Sequence, residues 1–151
     1  MKILSIETSC DETALSILEA KGTLKKPSFS ILANEVASQI ALHAQYGGVF
    51  PMMAKREHEK NLVPLLEKTL ENSALLSQGV ALKLDVEHIL AREEELRPQL
   101  MAFLASHATP PIDAIAVTHG PGLEPALWVG VNFARALAAA WQVPIVAVNH
   151  M

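Results

Sequence analysis

The sequence predicts one α/β domain on a mixed sheet, with a three-strand meander followed by parallel strands joined through helices. Three observations carry that expectation. The chain opens with short apolar runs separated by polar turns, its middle holds two stretches of helical periodicity, and its end alternates apolar run, glycine turn, alanine-rich helix and apolar run. At 151 residues, half of them hydrophobic, there is enough chain for one domain with a closed core.

The elements follow in order. Met1 to Ile6 is apolar enough for a central strand, and Thr13 to Glu19 reads as its hairpin partner across the polar turn Glu7-Thr8-Ser9-Cys10-Asp11-Glu12-Thr13. Lys21 to Ser28, with glycine, proline and three lysines, reads as a solvated loop before a third strand from Phe29 to Gln39. His43 to Pro51 is a loop with a Gly-Gly pair. A helix from Met52 to Ser73 follows, because Leu62, Leu66 and Leu70 recur every four places and Lys55 to Lys60 form a polar face.

Ser77 to Asp85 has no clear pattern. Val86 to Leu104 returns to helical spacing, with Glu93-Glu94-Glu95 on an expected exposed face and Pro98 restarting or kinking the helix. Thr109-Pro110-Pro111 stops it. Ile112 to Thr118 and Pro144 to Val148 read as buried strands on either side of a helix from Glu124 to Trp141, whose Pro125 suits a first turn. The order βββ-α-(α)-β-α-β is that of the ribonuclease-H-like half of actin, heat-shock ATPases and sugar kinases.

Composition narrows the function classes. A net charge of −4 gives no overall basic footprint for nucleic acid, although a basic partner or a second domain could supply one. The apolar runs are too short to span a bilayer, and the first residues resemble neither a signal nor a transit peptide, so a cytoplasmic protein with no membrane contact is expected. The single Cys10 excludes an intrachain disulfide, suits a reducing compartment and is best read as a structural thiol.

Four groups of residues carry candidate chemistry. Ser9, Asp11 and Glu12 sit in the first turn, where carboxylates and backbone N–H groups can hold a phosphate or its metal; equally, Asp and Ser are ordinary turn residues. Gly120 and Gly122 lie between a strand and a helix N-terminus, which suits an anion and also suits a plain turn. His43, Tyr46, Lys55, Arg56 and His58 read either as contacts for substrate or tRNA or as a solvated helix face. His150 directly follows a strand, where ligands of α/β folds collect, but one histidine is not a metal site.

Together these motifs resemble one family. ETSCDET (7–13), HAQYGGVFP (43–51) with AKREH (54–58), THGPGL (118–123) and VPIVAVNHM (143–151) occur in the order found in the TsaD family, also called Gcp or YgjD. The resemblance implies the N-terminal lobe, residues 1–151, of a two-lobed actin-like enzyme whose C-terminal lobe is absent. Residues 73–111 read as an insertion. It also implies transfer of a threonylcarbamoyl group from threonylcarbamoyl-AMP to the adenosine next to the anticodon of tRNAs reading codons that begin with A.

The cofactor implied is one divalent metal, iron or zinc. His150 corresponds to the first histidine of the family's His-Met-Glu-Gly-His motif, and the other ligands lie beyond this chain. Asp11 and Glu12 would position substrate, and Ser9, Gly120 and Gly122 would bind it. TsaB-like and TsaE-like subunits are the implied partners, with the Leu62–Leu70 stripe a candidate contact and a core role equally open. Met52, where many members carry Glu, and Glu124-Pro125, where small residues are usual, depart from the pattern. Two alternatives are a non-catalytic TsaB-like partner subunit and another actin-like phosphotransferase.

Overall fold

The computed structural model describes residues 1–23, 25–81 and 86–151. Five strands form one sheet: β1 (Lys2–Glu7), β2 (Glu12–Thr23), β3 (Lys26–Ser38), β4 (Ala114–Gly120) and β5 (Ile145–Asn149). Their spatial order is β3-β2-β1-β4-β5. β1 pairs antiparallel with β2 and parallel with β4, while β5 lies parallel to β4. The helices are α1 (Ile40–Ala44), α2 (Pro51–Asn72), α3 (Leu96–Ser106) and α4 (Glu124–Trp141), with a 3₁₀ turn at Glu87–Leu90. This is the expected mixed sheet, a strand meander followed by parallel strands joined through helices.

Alternation within the strands sets the core. Leu4 and Ile6 on β1, Leu15 and Ile17 on β2, and Ile115 and Val117 on β4 point to one face. There they join Leu62, Leu66 and Leu70 of α2, Leu100 of α3, and Phe133 and Leu137 of α4 in a single cluster. The opposite face carries Ser5, Ser16, Asn34, Ala116 and Thr118, which line an open cavity of about 270 Å³.

Several expectations need correction. The Lys21–Ser28 loop is largely strand, because β2 and β3 stay paired out to Thr23↔Lys26. Pro27 is tolerated there because β3 is an edge strand with a free outer side. The His43–Pro51 loop loses its first residues to α1. The helix expected over 86–104 is instead the 3₁₀ turn, an irregular Ala91–Glu95 link and α3. Pro98 falls in the first turn of α3, where its missing N–H removes no helical bond.

Glu93 does not sit on an exposed face. It is 1% exposed, and its Oε1 accepts a hydrogen bond from Asn132 Nδ2 of α4 at 3.1 Å. β5 is exposed rather than buried, since it is an edge strand with one neighbour. The Leu62–Leu70 stripe is buried in the core, so it offers nothing to a partner. The unpatterned stretch 77–85 lies partly outside the described residues. Its described part includes a bridge between Gln78 and His107.

Candidate functional site

Three parallel strands end together. Glu7 closes β1, Gly120 closes β4 and Asn149 closes β5, so the polar residues that follow apolar strands meet at their carboxyl ends. Backbone bonds tie these ends to one another. His150 N–H donates to the Gly120 carbonyl at 2.8 Å, and Leu123 N–H donates to the Ser9 carbonyl at 2.8 Å.

Glycines make this approach possible. A side chain at Gly122 would sit 2.6 Å from the Ser9 carbonyl oxygen and 2.8 Å from its Cβ. Gly122 is therefore required by backbone packing. Gly120 differs: its φ of +154° favours glycine, and a Cβ there would meet nothing within 4 Å. Of the two, Gly120 is the one that leaves space beside the strand ends.

His150 lies within this cluster. Its Nδ1 is 3.1 Å from Glu7 Oε2 and 3.3 Å from Ser9 Oγ. The Ser9 backbone N–H donates to the other Glu7 oxygen. Burial pushes the Glu7 carboxyl up, but hydrogen bonds from Ser9, Thr118 and His150 outweigh it and hold the group below the ordinary carboxylate value. Glu7 and Thr118 also line the open cavity on the uncovered sheet face.

Asp11 and Glu12 stand farther along the same turn. The Asp11 carbonyl accepts from Gln39 N–H at 2.8 Å, and Glu12 begins β2 opposite Ser38. Among the described residues, the carboxylate bonded to His150 is that of Glu7, not of Asp11 or Glu12. Desolvation, then a hydrogen bond and charge from Asp11, raise the Cys10 thiol, which keeps it protonated near neutral pH.

The turn is braced from beneath by a buried network, which includes His43 and His58, read from the sequence either as contacts for substrate or tRNA or as part of a solvated helix face. His58 of α2 is wholly buried. Its Nε2–H donates to the Cys10 carbonyl at 3.0 Å, and its Nδ1 accepts from Thr13 Oγ1 at 2.7 Å. Gln39 contacts His58 Nδ1 at 3.4 Å and reaches His43 Nε2 at 3.0 Å. Burial drives the His58 imidazole below its ordinary value, against the opposing pull of the Cys10 carbonyl, Glu7 and Asp11. The spacing signal for α2 showed only its leucine stripe. Polar residues on the neighbouring face were buried because the turn lies over them.

Glu7 was also missed as a site residue. The signal was present in its position, since it directly follows an apolar strand just as His150 does. Thr8 is a further anchor: its hydroxyl donates to the Ala126 carbonyl of α4 at 2.9 Å. His107 stacks on Phe103, and His119 is exposed on β4 beside Gly120.

The metal question turns on donor chemistry. A strand-end imidazole with one nitrogen held by a carboxylate fits one ligand position. Among the described residues no group of three His, Cys, Asp or Glu converges. Among the same residues, no helix is long and apolar enough to cross a membrane.

Known proteins resemble this chain along its whole length. A sequence model of the family described as "TsaD: tRNA N6-adenosine threonylcarbamoyltransferase" matches residues 30–82 and 93–151. Proteins of that name from two strains of Dehalococcoides mccartyi, BAV1 and CBDB1, are each 38% identical over 151 residues, all of this chain and 34% of theirs. The chain thus spans about a third of the length of these curated relatives. A crystal structure of an uncharacterised protein with similarity to the peptidase YeaZ from Pseudomonas aeruginosa aligns with a TM-score of 0.50 at 17% identity, over 98% of this chain and 43% of that one. That likeness concerns the fold.

Proposed function

Because the chain belongs to the TsaD family of tRNA N6-adenosine threonylcarbamoyltransferases, we propose that its strand ends form one wall of a site where a threonylcarbamoyl group passes to N6 of a tRNA adenosine. The observation that carries this reading is the meeting of three family motifs, at Glu7–Ser9, Gly120–Leu123 and His150, on the carboxyl ends of parallel strands. The donor is threonylcarbamoyl-AMP and the acceptor is the adenosine beside the anticodon. The adenosine amine attacks the carbamoyl carbonyl. A C–N bond forms, the C–O bond to AMP breaks, and the amine gives up one proton.

An aryl amine is a weak nucleophile, so the chain's residues act by placement and exclusion. His150 would supply one ligand to a divalent iron or zinc, which when bound polarises donor oxygens. Ser9, with its hydroxyl at the ring of His150, and Gly120, with open space beside it, flank the position for the donor. Asp11 and Glu12, at the tip of the same turn, position the incoming group. The remaining ligands and the opposite wall would come from outside these residues, and TsaB-like and TsaE-like subunits are the expected partners. A cytoplasmic location follows from the substrate.

Transfer itself is the test. This chain, fused to the remaining two thirds of a D. mccartyi relative, is supplied with threonylcarbamoyl-AMP, metal, partner subunits and tRNA. The reading predicts threonylcarbamoyladenosine in digested tRNA by mass spectrometry, and none with the 151-residue chain alone. A correctly folded fusion that leaves the tRNA unmodified contradicts it.

A further inference from the structure

We propose that Glu7 is a positioning residue that sets the tautomer of His150, placing the ring proton on Nδ1 and leaving Nε2 as the bare donor toward a divalent metal. This rests on the reading of His150 as a metal ligand. The two residues are far apart in sequence, and the parallel order of β1, β4 and β5 brings Glu7 Oε2 to 3.1 Å from His150 Nδ1.

The chemistry is one of complementarity. A neutral imidazole has one donor and one acceptor nitrogen, whereas an ionised carboxylate only accepts. The nitrogen facing Glu7 therefore carries the hydrogen, and the lone pair falls on Nε2. That is the form a metal-ligating histidine takes when its other nitrogen is held by a carboxylate.

Ser9 Oγ is the competitor, at 3.3 Å from the same Nδ1. A hydroxyl donating to Nδ1 would impose the opposite tautomer. Two features favour Glu7. Its contact is the shorter and the charge-assisted one. The Ser9 N–H holds the other Glu7 oxygen, which turns Oε2 to the ring.

The experiment reads the tautomer directly, by long-range ¹H–¹⁵N spectra of the ¹⁵N-histidine-labelled protein at a mildly alkaline pH. Wild type should show Nδ1–H at His150. Glu7→Ala should move it to the Nε2–H form that an unconstrained imidazole favours in water. Glu7→Gln, whose amide oxygen still accepts, and Ser9→Ala should both keep Nδ1–H, with the other histidines unmoved as a check on folding. Nε2–H in the wild type, or a tautomer that answers to Ser9→Ala and not to Glu7→Ala, overturns the proposal. Zn²⁺ added to the wild type should shift Nε2 of His150 and bind about tenfold more weakly to Glu7→Ala. A His150 that is protonated on Nδ1 but never responds to Zn²⁺ contradicts the metal reading alone; a wrong tautomer contradicts the role of Glu7 alone.

Discussion

Thr13 Oγ1 donates to His58 Nδ1 across 2.7 Å inside the protein, where both residues are fully buried. The same imidazole donates through Nε2 to the Cys10 carbonyl. One side chain from α2 therefore fixes both the start of β2 and the turn that carries Asp11 and Glu12. His58→Ala should lose about 2–4 kcal/mol, since it opens a cavity and leaves the Cys10 carbonyl and the Thr13 hydroxyl without their partner. Urea unfolding measures the loss. A change near zero would mean that the turn holds its shape without α2.

Acid should weaken this brace in a defined window. The folded value of His58 lies below its ordinary 6.5. On acidification the unfolded chain therefore takes up a proton first, and stability falls as the pH drops through about 6.5 toward the folded value. Glu7 has the opposite charge type and a depressed value. Its contribution is present above its ordinary 4.5 and is lost as the pH falls below it, through the folded value. Melting wild type and His58→Asn at about pH 7.5 and about pH 5.5 separates the two, because the variant should lack the loss between those points.

Gly130 lies inside α4, where Ala would ordinarily stabilise a helix by nearly 1 kcal/mol. Here a Cβ would strike Thr8 Oγ1, the group that bonds to the Ala126 carbonyl. Gly130→Ala should therefore destabilise by about 1–3 kcal/mol and shift the backbone resonances of Thr8 and Ser9. Stabilisation would show that the contact relaxes freely.

The irregular link before α3 is pinned by Glu93. Its Oε1 bonds to Asn132, while its buried Oε2 has no partner among the described residues. Asn132→Ala removes that bond and should lower stability by about 2–4 kcal/mol, as expected when a buried carboxylate loses its partner. Equilibrium unfolding checks it. A loss under about 0.5 kcal/mol would place the carboxylate in contact with water after the substitution.

Much of the fold was legible because its signals are local. The apolar runs gave the strands, and the bounds expected for α4 match those found. β2 and β3 run longer than expected because pairing with the edge strand β3 tolerates lysine and proline on its solvent side. The site was legible only as separate motifs. Asp11 and Glu12 stood out as turn carboxylates, yet the group at His150 is Glu7, whose position depends on the lateral order β1-β4-β5. Likewise, Glu93 and His58 belong to polar runs, and only tertiary packing decides which member of such a run is buried.

The most direct measurement is transfer by the fusion protein with one histidine changed at a time. His150→Ala should lower the rate of threonylcarbamoyladenosine formation by more than about 100-fold, beyond the loss typical of an outer-shell partner. His88→Ala, a change at an exposed residue of the 3₁₀ turn, should leave the rate within about threefold. Equal rates for wild type and His150→Ala, with the fold intact, would contradict the placement of the transfer site at these strand ends.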